Sequence, residues 1–342
     1  MKSMQTSSLL ANFNEEAVRK AISDYEFTCQ TIVAMSNIVS YNLGGTTTPG
    51  KELRTSSANA ISPNITVTPD IVIEVQAKRD SESYHAVDEI KISLSKDQTY
   101  WMKVVEQLKK YDDELTGWDV PNSNPHDIMF TTNELRVFAF QKFLSDLSST
   151  GRVTFSRKLS LFHSTPMEQK DSFILIKKDH GIISNQKLDD LLANGQGVPK
   201  LKIVREIDQM KFYDSNPPFV YTMMIIWDHV LKTYLSQSQL RDLKGNKLIP
   251  IAVTVEQIRE KLSIFAPDPN NSCVRKDWVR DALTAFVELG VAEFVDREGE
   301  KFEIKFKTHR STNWIFDSIK AVSVATEREP SDTLDKYTKG NN

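Results

Sequence analysis

Cysteine and glycine are scarce in this chain of 342 residues. Its two cysteines, Cys29 and Cys273, lie far apart, which excludes a disulfide framework or a cysteine-rich zinc site. The 12 glycines and 13 prolines exclude a collagen-like or low-complexity chain. No apolar run approaches the roughly 20 residues of a membrane-spanning helix, and the first residues lack the apolar segment of a secretion signal. We therefore expect a soluble, cytoplasmic protein without a membrane partner.

Charge of neither sign dominates, since 43 Lys and Arg are set against 46 Asp and Glu. Binding to nucleic acid would therefore depend on a local basic surface and not on the net charge of -3. The six histidines show none of the close spacings of zinc ligands. Hydrophobic residues make up 39% of the chain, which is enough for two cores, and the length predicts two domains.

Residues 1–183 combine helical and strand patterns in an order that predicts an α/β sandwich with a mixed sheet. A capping box of Ser95 and Gln98 is expected to begin the second helix. The predicted helices cover about 14–35, 95–115 and 133–147. The predicted strands cover 37–43, 69–77, 84–94, 127–131, 153–163 and 172–178. Residues 78–83, between the second and third strands, are polar and predict a hairpin turn.

The pattern changes after a polar stretch over residues 184–218, which we interpret as a connecting region ending in two prolines. Residues 219–323 predict three helices followed by a β-hairpin, with a capping box of Thr254 and Gln257 at the second helix. Three helices and a hairpin are typical of a winged helix. Residues 324–342 are polar and predict a disordered tail.

One group of charged residues is predicted to meet across the first hairpin. Asp70 begins one strand, and Glu89 and Lys91 lie on the return strand, two residues apart and so on one face. If the chain turns at about residues 80–81, Asp70 lies opposite Lys91, with Glu89 beside it. Two carboxylates suit Mg²⁺, which prefers one or two of them together with water and phosphate oxygens. A lysine beside the metal can orient or help deprotonate an attacking water.

These residues resemble the motif of the PD-(D/E)XK nuclease superfamily, with Pro69-Asp70 as PD and Glu89-Ile90-Lys91 as the second part. Gln107 and Tyr111, four apart on the following helix, are similar to the QxxxY motif of RecB-like nucleases. The resemblance covers about residues 14–131. It implies a restriction-endonuclease-like sandwich, Mg²⁺ (or Mn²⁺) bound by Asp70 and Glu89, and an inward glutamate on the first helix, here Glu26.

Simpler interpretations remain open for each of these residues. The hairpin could be a surface hairpin with an exposed ion pair of little energetic value. Gln107 and Tyr111 could be packing residues, and Glu74, at even spacing on the strand of Asp70, is a weaker candidate for the same face. Residues 45–52 match a phosphate-binding loop except at the last position, where Glu52 replaces the required Ser or Thr. A polar loop is the better interpretation of that segment.

The predicted winged helix carries basic residues that could contact DNA phosphates. Those on the third helix and the hairpin are Arg275, Lys276, Arg280, Lys305 and Lys307. Acidic residues interrupt this basic surface, so docking of a protein partner or formation of a homodimer is the alternative.

The sequence thus favours a Mg²⁺-dependent endonuclease that hydrolyses DNA, followed by a winged helix. This domain order is similar to that of TnsA-like endonucleases of transposition and also occurs in restriction and defence nucleases. The alternative is a winged-helix DNA-binding or assembly protein whose nuclease-like domain is inactive. The trio of Asp70, Glu89 and Lys91 is complete, which favours the enzyme.

Overall fold

The computed structural model describes most of the chain. The described residues are 10, 13–55, 65–76, 83–120, 125–167, 173–199, 210–213, 216–236, 248–266, 274–296, 298, 300–306 and 313–322. They belong to two compact units. The sheet unit comprises Glu26–Asp214 and Phe265–Pro267, and the terminal unit comprises Met1–Tyr25, Ser215–Ile264 and Asp268–Asn342. No helix among the described residues is both long enough and apolar enough to cross a membrane.

The sheet unit is a mixed α/β structure, in agreement with the predicted fold class. Its helices are α1 (Glu15–Leu43, shared with the terminal unit), α2 (Gln98–Tyr111), α3 (Glu134–Ser149) and α4 (Gln186–Ala193). Its strands are β1 (Thr46–Pro49), β2 (Leu53–Thr55), β3 (Thr66–Val67), β4 (Ile71–Val75), β5 (Tyr84–Lys91), β6 (Leu115–Thr116), β7 (Asp127–Asn133), β8 (Leu159–Met167), β9 (Phe173–His180) and β10 (Gln196–Pro199).

The main sheet has seven strands in the order β1-β4-β5-β7-β8-β9-β10. The pairs β5–β7 and β7–β8 are parallel, and the other four pairs are antiparallel. Apolar residues of β5, β7 and β8 form one core with α2 and α3. Ser164 of β8 hydrogen-bonds instead to Thr31 of α1 (2.9 Å), which places α1 on the other face because strand residues alternate between faces. The three central strands are thus covered on both faces.

The prediction of a strand over residues 37–43 was wrong, because α1 continues to Leu43. Its polar residues, which suggested a loop, bind backbone carbonyls one turn earlier in the helix. Ser36 donates to Ile32 (2.9 Å), and the amide of Asn37 donates to Val33 (2.9 Å). Such bonds let Ser and Asn remain inside a helix although they usually favour its ends.

The hairpin of β4 and β5 forms as predicted, but its register differs by two residues. Ile71 pairs with Asp88 and Val75 with Tyr84, so Asp70 lies level with Glu89 and not with Lys91. The turn residues 77–82 lie outside the described part of the chain.

The second helix begins later than predicted. Its N-terminal cap is Asp97, whose side chain accepts from the Thr99 amide at 2.9 Å, and the capping box of Ser95 and Gln98 was wrong. Asp97 prevails because a carboxylate is a strong acceptor at this position and is favoured by the helix dipole.

The region 184–218 is not simply a connector. Asn185 caps α4 by accepting from the Leu188 amide at 3.0 Å, and β10 then pairs with β9 at the edge of the main sheet. Gly195 allows the tight turn between α4 and β10, since its φ of 80° is unfavourable for other residues.

The terminal unit contains helices and a three-stranded sheet in the order β11-β13-β12. Its elements are α5 (Phe219–Ile225), α6 (Val255–Ser263), α7 (Lys276–Glu288), α8 (residues 313–322), β11 (Ile249–Thr254), β12 (Ala292–Asp296) and β13 (Lys301–Phe306). The capping box of Thr254 and Gln257 is confirmed. Trp227 packs on Phe286, Phe306 and Trp314 in the core of this unit. The expected disordered tail, 324–342, lies outside the described residues.

Candidate active site

Asp70 is held in the sheet unit at the point where the chain enters β4. Its Oδ2 accepts a hydrogen bond from the Ile90 amide (2.7 Å) and lies 3.5 Å from the Lys91 ammonium. The side chain is buried. Both contacts come from the adjacent strand β5. The local sequence therefore places this carboxylate by strand pairing alone.

Glu89 and Lys91 lie on one face of β5, where their side chains form a direct ion pair. Helix α2 packs on the same face and supplies the next contact. The Tyr111 hydroxyl donates to Glu89 Oε2 at 2.7 Å, and the Gln107 amide donates to the Tyr111 hydroxyl at 3.2 Å. The spacing of four residues puts Gln107 and Tyr111 one above the other on the helix. Five of the six residues predicted for the catalytic site thus form one chain of contacts.

The charges in this cluster change one another's protonation. Burial and the neighbouring Asp70 carboxylate raise the pKa of Glu89 from 4.5 to about 7. Burial alone would lower the pKa of Lys91, but the charges of Asp70 and Glu89 raise it above its usual value. Burial and the charge of Glu89 raise the pKa of Tyr111 as well. At neutral pH the lysine is a cation between two carboxyl groups, and the tyrosine is a neutral donor.

Two further titratable residues border the cluster, and sequence analysis missed both. Asp88 is completely buried. The Thr131 hydroxyl donates to its carboxylate and lies 3.1 Å from Oδ1 and 3.0 Å from Oδ2. Burial raises the pKa of Asp88 well above its usual value. The pKa of Tyr213 is raised by its burial and by the charge of Asp70. Asp88 is adjacent to the motif and could have been noticed, whereas Tyr213 has no sequence signal.

Glu26 does not belong to this cluster. The prediction made it an inward residue, but its side chain is exposed on α1. No hydrogen bond or ion pair joins it to Asp70, Glu89 or Lys91 within the described part of the chain. The helical stripe was placed correctly around Cys29 and Val33, which are buried, but Glu26 lies at the border of that stripe.

The segment that resembles a phosphate-binding loop has a structural role. Residues Thr46–Pro49 form strand β1, and the Lys51 ammonium lies 2.9 Å from the carboxylate of buried Glu74. Glu74 also accepts from the amides of Asp119 (2.6 Å) and Val120 (3.1 Å). A lysine committed to a buried carboxylate is not available to a nucleotide phosphate. Glu74, the weaker candidate on the Asp70 strand, is committed in the same way.

A metal ion in this unit would depend on Asp70 and Glu89. Over the described ranges no group of three or more His, Cys, Asp or Glu side chains is arranged to hold a metal. Two buried carboxylates around one ammonium nevertheless fit a hard divalent cation, because Glu89 ionises reluctantly beside Asp70 and added positive charge would relieve their repulsion. Water or phosphate oxygens would complete the coordination of such an ion.

The basic residues of the terminal unit are paired with carboxylates. Glu300 binds both Lys276 (2.7 Å) and Arg280 (2.5 Å), and Arg275 binds Asp277 (2.5 Å). These cations are about half exposed, and Lys305 lies 3.7 Å from Glu293. Lys307 lies outside the described residues. The carboxylates therefore reduce the positive charge on this part of α7, and its predicted contact with DNA stays a prediction.

Comparison with protein-family models, with curated protein sequences and with solved structures finds no match to this chain.

Proposed function

We propose that the sheet unit is a restriction-endonuclease-like nuclease domain of the PD-(D/E)XK type that hydrolyses DNA phosphodiester bonds with Mg²⁺. One observation carries the proposal: Lys91 lies between the carboxylates of Asp70 and Glu89, while the Tyr111 hydroxyl donates to Glu89 Oε2. Burying three charged side chains together is unfavourable unless a function or a very good geometry compensates. Asp70 and Glu89 provide two carboxylate ligands for a metal ion, and Lys91 provides a fixed positive charge beside them.

Asp70 and Glu89 would hold the metal ion, which supplies stabilisation of the charge that develops on the phosphate. Lys91 would orient the attacking water and stabilise negative charge. Its raised pKa makes it an ammonium at neutral pH, so it acts as a hydrogen-bond donor and not as a base. Tyr111 and Gln107 keep Glu89 in its position, and they are positioning residues in this scheme.

We propose that the terminal unit is a winged helix whose α7 and β12–β13 hairpin contact DNA through Arg275, Lys276, Arg280 and Lys305. The order of α5, α6 and α7 followed by the hairpin supports this assignment. Glu300 favours the alternative of docking to a protein partner or a second copy of the chain, because it pairs with two of these cations.

A second candidate function is that of a non-catalytic DNA-binding or assembly protein. The observation in its favour is that Glu89 is 1% exposed and that both of its oxygens already have partners, Lys91 and Tyr111. In that case the cluster is a structural network, and the chain would bind DNA without cleaving it.

Incubation of supercoiled plasmid with the full chain, with EDTA, Mg²⁺ or Mn²⁺, decides between the two functions. Asp70→Asn and Lys91→Met should abolish metal-dependent nicking and linearisation. Their matched controls are Asp113→Asn and Lys110→Met, which change exposed residues that follow or end α2. Cleavage by the wild type and both controls, but by neither site variant, supports the nuclease. Equal cleavage by Asp70→Asn and the wild type would refute the assignment of the site.

A further inference from the structure

Lys91 contacts both carboxylates that the proposed function assigns to a metal ion. Its ammonium lies 3.5 Å from Asp70 Oδ2 and forms a direct ion pair with Glu89 Oε1. The two acidic side chains are buried, with 6% and 1% of their surface exposed. Ionised carboxylates that are buried together repel each other and are unfavourable without a cation beside them. Lys91 thus supplies the positive charge that a bound metal ion would supply.

The two oxygens of Glu89 have different surroundings. Oε2 accepts the Tyr111 hydroxyl at 2.7 Å, and the Gln107 amide donates to that hydroxyl at 3.2 Å. Helix α2 therefore restrains the carboxylate and leaves Oε1 as the oxygen that faces Lys91. Oε1 contacts the ammonium and is closed off from solvent. A metal ion and the lysine would therefore compete for this one oxygen.

The lysine and a metal ion cannot occupy this place together. Mg²⁺ binds carboxylate oxygens at about 2.0–2.1 Å, so an ion bound to Glu89 Oε1 would lie directly beside the ammonium. Their like charges would repel each other strongly, because a buried site screens charge poorly. Access of the ion to Oε1 therefore requires that the ammonium of Lys91 leaves its place.

Lys91 is the member of the cluster that is able to move. Its side chain is 22% exposed, whereas the two carboxylates are nearly inaccessible. Asp70 is held in addition by the Ile90 amide at 2.7 Å. Lysine has a flexible four-carbon chain, so its ammonium can reach solvent without a change in the strand that carries it. A substrate phosphate would approach from the same solvent side, where it would meet the released ammonium.

We propose that Lys91 occupies the metal position until a divalent cation binds, and that this cation displaces the ammonium toward the substrate. The inference rests on the proposed function, because it concerns the same site. Lys91 then has two successive roles. It first compensates the charges of Asp70 and Glu89, and once the metal ion has replaced it there, it is available to the phosphate and the attacking water. The lysine is thus free for catalysis only when the metal is in place.

Acetylation of lysines, measured by mass spectrometry, tests this displacement. The full chain is treated with sulfosuccinimidyl acetate in millimolar Mn²⁺ or in NaCl of equal ionic strength. Lys91 should react about threefold faster or more with Mn²⁺, because its ammonium loses both ion pairs and reaches solvent. Lys51 is the matched control, since it forms a similar buried pair with Glu74 at 2.9 Å and should react equally in both solutions. Asp70→Asn should abolish the effect of Mn²⁺ on Lys91, and an effect that persists would place the ion elsewhere and overturn the inference.

Isothermal titration calorimetry of the same proteins measures metal binding separately from lysine movement. Lys91→Met should bind Mn²⁺ about tenfold more tightly than the wild type, because it removes the competing cation. Lys110→Met changes an exposed lysine of α2 and should bind Mn²⁺ as the wild type does. Unchanged acetylation of Lys91 in a sample that binds Mn²⁺ would overturn the inference and leave the metal site intact. Equal or weaker binding by Lys91→Met would overturn it as well. Failure of both the wild type and Lys91→Met to bind Mn²⁺ or Mg²⁺ would instead refute the proposed function.

Discussion

Glu89→Gln should stabilise the protein at alkaline pH, in contrast to most substitutions of buried residues. Burial and the charge of Asp70 make the ionised form of Glu89 unfavourable in the folded state. They therefore raise the pKa of Glu89 to about 7, compared with 4.5 in an exposed position. As the pH rises from about 4.5 to 7, the unfolded chain releases this proton before the folded chain does. The folded state therefore binds more protons in this range, and its stability falls until the pH exceeds 7.

The size of the effect follows from the shift in pKa. One unit corresponds to about 1.4 kcal/mol, so the full shift corresponds to about 3 kcal/mol of stability lost by the wild type. Between pH 5 and pH 9 the change is about 2–3 kcal/mol, since unfolded glutamate is already partly ionised at pH 5. Glutamine does not ionise and can still accept the Tyr111 hydroxyl through its carbonyl. The variant should therefore not lose the roughly 2–3 kcal/mol of stability that the wild type loses between pH 5 and pH 9.

Urea unfolding followed by circular dichroism, with EDTA present, measures the effect at both values of pH. The free energy of unfolding of the variant minus that of the wild type should increase by about 2–3 kcal/mol from pH 5 to pH 9. Glu106→Gln changes an exposed glutamate on α2 and should give a difference that does not vary with pH. A difference for Glu89→Gln that is constant, or that decreases with pH, would show that Glu89 ionises normally and would contradict the electrostatic account of the cluster.

Four other substitutions test separate parts of the structure. Lys91→Ala should lose cleavage and keep Mn²⁺ binding, which calorimetry measures. Tyr111→Phe should raise the pH at which Mn²⁺ binding reaches half its maximum, because the lost hydrogen bond favours ionised Glu89. Glu300→Gln should free the two cations of α7, strengthen binding to duplex DNA and steepen its salt dependence by about one unit of slope for each phosphate gained. Thr254→Ala should lower the free energy of unfolding by about 1 kcal/mol, since it removes the cap of α6.

Each of these expectations has a result that would contradict it. Loss of Mn²⁺ binding in Lys91→Ala would give the lysine a structural role. An unchanged pH dependence in Tyr111→Phe would mean that the tyrosine does not influence Glu89. An unchanged salt dependence in Glu300→Gln would show that this surface of α7 does not meet DNA and favour protein docking. A change below about 0.3 kcal/mol in Thr254→Ala would mean that the cap is dispensable.

The sequence predicted the meeting of Asp70, Glu89 and Lys91 because a hairpin is a local structure whose partners are close in the chain. It could not determine the register, because the estimate depended on where in a polar turn the chain reverses. It also misplaced Glu26, since a helical stripe gives the direction of burial but not its border. The position of Tyr213 beside Asp70 depends on contacts distant in sequence, which periodicity cannot predict.

Loop-like composition was the other source of error. Residues 45–50 are rich in Gly and Thr, yet Thr46–Pro49 within them form β1 at the edge of the sheet. Gly45 is required there, since a Cβ would lie 2.7 Å from a methyl group of Val75 and 2.9 Å from the Glu74 carbonyl. A glycine that allows close approach of two strands cannot be distinguished by composition from one in a turn.

The contacts of Tyr111 limit how α2 can change in evolution. Its hydroxyl binds Glu89, its carbonyl accepts from His126 (2.7 Å), and Trp101, two to three turns earlier, packs on Phe140. One residue inserted between Trp101 and Tyr111 would rotate the end of the helix by about 100° and advance it by about 1.5 Å. Neither contact of Tyr111 would survive such a change. Relatives of this protein should therefore keep the spacing between Trp101 and Tyr111. They should vary in length after the end of α2 instead.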